Sequence, residues 1–166
     1  MSKSCVLLAP GPSLSVEIAQ SVSGDIVGCV GNAFELRPNA DFLASTDWYW
    51  WIKHPAALEF KGRKFSASEN VPSVEQVRGV SKSTNSGVLA LQCAVNLGAT
   101  RIELYGFDMH GTHFFGPYRN GLVNTPPERR AVHQQQYEDW KTAHPRVSVL
   151  NRTKGSALRA YPYVER

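Results

Sequence analysis

Three short apolar runs, each cut off by glycine, proline or asparagine, restrict this chain more than any other feature. Residues 6–9 (VLLA) stop at Pro10-Gly11-Pro12, residues 26–30 (IVGCV) at Gly31-Asn32, and residues 102–105 (IELY) at Gly106-Phe107-Asp108. Runs this short, separated by segments with helical spacing, read as buried strands in βαβ units and hence as a mostly parallel sheet. Weaker strands are expected at 41–44, 64–67 and 147–150. Helices are expected from Ser13 to about residue 21, at 48–52, at 84–97 and at 128–143, with a last helical segment after 151–158. Gly98 ends the strongest of these helices. The fold predicted is a Rossmann-like three-layer α/β/α sandwich with about six strands, formed as one domain over 1–166.

Composition narrows the function classes. The 166 residues are 42% hydrophobic and 19% charged, which is globular rather than disordered. No apolar run approaches the roughly 20 residues that span a bilayer. Nothing in the N-terminal segment resembles a secretory signal, so a cytoplasmic location without membrane association is expected. Cys5, Cys29 and Cys93 lie inside apolar stretches at no metal-like spacing and read as free, buried thiols. The net charge of +4 suits a phosphate-bearing ligand. The basic residues are dispersed rather than gathered in a stripe, which argues against nucleic acid.

Parallel sheets place ligands beyond the carboxyl ends of their strands, and polar or glycine-rich residues follow each of the three clearest runs. Gly11 lets backbone approach a ligand closely, and Ser13 is expected to open a helix whose free N–H groups attract an anion. Asn32 can meet a base, ribose or phosphate, or simply occupy a turn. Ser83-Thr84-Asn85-Ser86-Gly87 holds more hydroxyl and amide groups than one helix cap requires, pointing to a ligand-binding helix start. Asp108 follows a strand at a position that suits ribose hydroxyls. His110 and His113 are too few for a zinc site, so no metal and no cofactor are expected. The loop over 109–127 is long and aromatic enough to be a lid, and its aromatics at 114–118 would equally suit a contact between identical subunits. Arg129, His133, Tyr137 and Trp140 share one helix face, where His133 could act as a base or sit buried and hydrogen bonded.

Taken together, VLLAPGPSL, the strand ending in GN and TNSGVLALQCAVNLGATRIELYGFDM resemble the bacterial CMP-sialic-acid-dependent sialyltransferases that decorate lipooligosaccharide. They also resemble that group's relatives, among them motility accessory factors, pterin-pyrophosphokinase-like proteins and small phage-encoded members. The resemblance implies a nucleotide held by Gly11, Ser13, Asn32, Asn85, Ser86 and Gly87, a phosphate met by Tyr118, and His133 as the base that deprotonates an acceptor hydroxyl. Pro10 stands where those transferases carry Asn, and the loop holds one tyrosine where they use two. Two functions follow. One is a small glycosyltransferase-like enzyme that takes a nucleotide sugar, with CMP as the nucleotide that the resemblance favours. The other is a non-catalytic module that binds or sequesters a nucleotide.

Overall fold

The structure, a computed structural model, describes residues 2–166. Seven parallel strands form one sheet: β1 (Lys3–Leu8), β2 (Ile26–Val30), β3 (Phe42–Ala44), β4 (Arg63–Ser66), β5 (Glu75–Gln76), β6 (Ala99–Tyr105) and β7 (Ser148–Asn151). Their order across the sheet is β5-β4-β3-β2-β1-β6-β7. The helices are α1 (Val16–Ser21), α2 (Trp48–Lys53), α3 (Pro55–Leu58), α4 (Ser86–Asn96) and α5 (Pro127–Ala143), and a 3₁₀ turn spans Gly31–Glu35.

Side-chain alternation along the strands divides the apolar residues between two cores. Cys5 and Leu7 of β1, Phe42 of β3 and Ile102 and Leu104 of β6 face Leu89, Leu91 and Ala94 of α4 and Tyr137 and Trp140 of α5. Val6 and Leu8, Val27 and Cys29, and Leu43 face the other way, toward Ala19 of α1, Trp50 and Trp51 of α2 and Ala57 of α3. Both sheet faces are thus covered by helices, which makes the three-layer sandwich. Every residue of β2 is buried, which explains why its boundaries can be read directly from its apolar run.

The sheet has one strand more than expected. Both residues of Glu75–Gln76 are exposed and carry no apolar signal, but they pair with Phe65 and Ser66 of β4 at the sheet edge. Helix α1 is capped by Ser15, whose hydroxyl accepts from the Ile18 amide, and not by Ser13. The segment after β7 forms turns rather than a helix. There Ser156 Oγ donates to the Phe107 carbonyl (2.6 Å) and accepts from the Leu158 amide (3.1 Å), offering the backbone an alternative to helical bonding. The three cysteines are free and buried, and burial pushes each thiol up to about 12.

From β1 the chain winds outward to β5, and α4 then carries it back to place β6 on the other side of β1. The carboxyl ends of β1 and β6 therefore flank the point where the winding reverses, which is where open α/β sheets leave a crevice. Among the described residues no helix is long and apolar enough to cross a membrane.

Candidate functional site

A cavity of about 780 Å³ opens at this reversal point. Its floor comes from strand ends: Ala9 to Gly11 after β1, Gly31 after β2, Ser45 to Asp47 after β3, and Gly106 to Asp108 after β6. The loops after β1 and β6 are tied together by backbone bonds from Ala9 to Tyr105 (2.9 Å) and from Gly11 to Gly106 (3.0 Å). Only glycine fits here. A Cβ on Gly11 would collide with Asp108 and the Gly106 carbonyl, and one on Gly106, at φ +78°, would collide with the Ala9 carbonyl.

One wall is the start of α4. Asn85 caps it by accepting from the Val88 amide (3.1 Å), and Gln136 of α5 holds Asn85 through both its amide and its side chain (2.9 and 2.8 Å). The cap uses the third amide of the helix, so those of Ser86 and Gly87 are left for whatever occupies the cavity. The opposite wall carries Trp50, Tyr49 and Tyr118, and the loop residues Gly121 to Pro126 close over the space.

Charge around the cavity is mainly positive. Lys82, Arg129 and Arg130 line it, against Asp47 and Asp108. Arg130 is fixed by donating to the Gly111 carbonyl (2.7 Å). His133, one turn beyond Arg129 on α5, also lines the cavity and is half-buried. Burial first, and then the neighbouring Arg129 charge, hold its imidazole below the usual histidine range, so the neutral, proton-accepting form prevails at neutral pH. Tyr118 is pushed the other way, up to about 12, by burial and then by the charges of Asp47 and Glu35, and so it stays a donor.

Of the residues singled out in the sequence, Gly11, Asn85, Ser86, Gly87, Asp108, Tyr118 and His133 are brought together around this cavity. Ser13 and Asn32 stand behind it. Ser13 donates to Asp108 Oδ2 from its hydroxyl (2.8 Å) and its amide (3.3 Å), so this pair joins the two strand-end loops. Asn32 is buried. Its oxygen accepts from Trp50 Nε1 (2.9 Å) and the Tyr118 hydroxyl (3.4 Å), and its nitrogen donates to Glu35 (2.6 Å). It holds the aromatic wall rather than facing the cavity. His110 and His113 pair with the carbonyls of Gly155 and Gly116 (both 3.1 Å). Among the described residues, no three His, Cys, Asp or Glu side chains gather as a metal site.

Sequence reasoning missed Lys82, Arg130 and Thr46. Arg129 and Arg130, four and three residues ahead of His133, carried a signal, because both spacings set them on the helix face of His133. Thr46 was within reach of the same strand-end rule that found Gly11 and Asp108, since it follows β3. Compared with protein-family models, curated proteins and solved structures, the chain matches none.

Proposed function

We propose that the protein binds a nucleotide sugar in this cavity and transfers the sugar to an acceptor hydroxyl, with His133 as the base. The observation that carries the reading is the convergence on one cavity of the free amides of α4, the cations Arg129, Arg130 and Lys82, and a neutral, half-buried histidine. The amides and cations suit the phosphate of the donor, and the Trp50 and Tyr49 wall offers aromatic surface for its base. His133 takes the proton of the acceptor hydroxyl as that oxygen bonds to the anomeric carbon. The bond from that carbon to the phosphate oxygen breaks, and the nucleotide leaves with the electron pair. Charge on the departing phosphate is met by helix amides and arginines, so the step requires no metal.

A second reading, a module that binds a nucleotide without turnover, draws support from Tyr118 and Asp108, whose polar ends are already engaged by Asn32 and Ser13. One experiment separates the two. Thermal melting is measured against nucleoside mono- and diphosphates and nucleotide sugars, for the wild type and for His133→Ala. A ligand at 100 times its Kd adds about 2.7 kcal/mol of stability, a rise of roughly 5–10 °C for a chain of this size. Sugar release or transfer that falls about 10²–10⁴-fold in His133→Ala while binding persists supports catalysis. Binding without turnover in either protein supports the module. No stabilisation by any nucleotide refutes both.

A further inference from the structure

Asn32 stands behind the aromatic wall of the cavity with all its hydrogen-bonding capacity in use. Its oxygen accepts from Trp50 Nε1 (2.9 Å) and the Tyr118 hydroxyl (3.4 Å). Its nitrogen faces Glu35 Oε1 (2.6 Å) and His54 Nε2 (3.1 Å). Chemistry rules out the flipped amide, which would set its N–H groups against the indole N–H and its oxygen against the Glu35 carboxylate. The amide in turn fixes the tautomer of His54. An amide nitrogen only donates, so His54 Nε2 must accept. The ring proton then resides on Nδ1, which donates to the Trp50 carbonyl (2.8 Å). The imidazole also lies nearly flat against the Trp50 indole, with ring centroids 4.4 Å apart.

His54 joins α2 to α3 and is half-buried. Trp50 and Tyr118 line the cavity, and His54, Asn32 and Glu35 stand behind them. A second ring proton, on Nε2, would meet the Asn32 N–H groups, donor against donor. The other titratable groups around the ring are Glu35, which shares the Asn32 nitrogen, and Tyr118, whose ring centroid is 6.3 Å away. Lys53 precedes His54 on α2, and Asp47 caps the far end of that helix. None of the ion pairs among the described residues involves His54. Were Glu35 to turn to the new N–H, it would leave Asn32. Either way the amide loses a bond that orients it, and Trp50 and Tyr118 lose their fixed acceptor.

We propose that His54 is a positioning residue of the cavity, its Nε2 the acceptor that keeps the Asn32 oxygen turned toward Trp50 and Tyr118. Only its effect on ligand binding rests on the nucleotide reading above. Two variants separate the acceptor from the packing. His54→Gln keeps an acceptor at the reach of Nε2 without the ring, and His54→Phe keeps a flat ring without the acceptor. Hydrogen exchange of the Trp50 indole N–H, followed by NMR, should stay slow in His54→Gln and quicken in His54→Phe. In the wild type its protection, corrected for the intrinsic rate, should fall as His54 takes up a proton between about pH 8 and pH 5. In His54→Gln that fall should be absent. Titration calorimetry at pH 8 uses AMP, CMP, GMP and UMP as probes. The one that the wild type binds tightest should bind His54→Gln within about twofold and His54→Phe about three- to tenfold more weakly. Slow exchange in His54→Phe with fast exchange in His54→Gln overturns the proposal, because the stacked ring would then be what holds the wall. So does protection that ignores the protonation of His54, or equal nucleotide binding by all three proteins. A wild type that binds none of the four removes the nucleotide reading, and the exchange rates alone then decide the role of His54.

Discussion

Gly87→Ala is the change whose effect follows most directly from the packing around the cavity. Gly87 is the second residue of α4, and the Tyr137 hydroxyl of α5 lies against its Cα. A Cβ there would overlap that hydroxyl, and it would also stand 3.1 Å from both Asn85 Oδ1 and Phe107 Cε1. Alanine favours a helix over glycine by at most about 1 kcal/mol. Forcing a methyl into a filled space costs about 1–3 kcal/mol. The net expectation is a loss of about 0.5–2 kcal/mol, read from urea denaturation followed by circular dichroism. Tyr137→Phe deletes the overlapping atom. In that background the same alanine should be neutral, or stabilising by up to about 1 kcal/mol, which gives a coupling energy of about 1–2 kcal/mol between the two sites. Additive effects to within about 0.5 kcal/mol would refute the argument, because they would mean that the hydroxyl is not what reserves this position for glycine.

Asn32→Ala should cost about 2–3 kcal/mol in thermal or urea denaturation, because it strands the buried Trp50 Nε1 without an acceptor. A loss below about 0.5 kcal/mol would show that water replaces the amide. Stability should also fall with acid. His113 and His133 are both held below the usual histidine range, chiefly by burial, so their neutral forms are favoured in the folded state. Below about pH 6.5 the unfolded chain then binds more protons than the folded one, and stability declines as pH falls through the folded-state values. Replacing both histidines with glutamine should flatten the dependence of Tm on pH between about 7 and 5.

The sheet was largely legible because buried parallel strands announce themselves as unbroken apolar runs, as β2 does. β5 was not, since two exposed polar residues at an edge are placed by their neighbour and not by their own pattern. The start of α4 was legible in outline, because four hydroxyl or amide residues and a glycine precede its apolar stretch, and Asn85 proved to be the cap. The confusion of Ser13 with Ser15 has a physical cause. Both are serines near a helix start, and only the approach of Asp108, distant in sequence, engages the first of them. Asn32 illustrates the same limit. A polar residue at a strand end can face a ligand or support a wall, and what decided between them was Trp50 and Tyr118, which the fold delivers from elsewhere.

The return of β6 to the side of β1 also governs how the molecule comes into being. β1 is made first, yet its register with β6 pairs Leu8 with Tyr105, about a hundred residues later. The strands from β1 outward to β5 can assemble from neighbouring segments. β1, however, keeps an open edge until α4 and β6 have been synthesised and docked. Closing so long a loop is slow, and the exposed edge of β1 is the natural point of misassociation while it lasts. The cavity lies on that same seam. It takes shape only when the last long-range pairing forms, and any fluctuation that parts β1 from β6 dismantles it before the outer strands are disturbed.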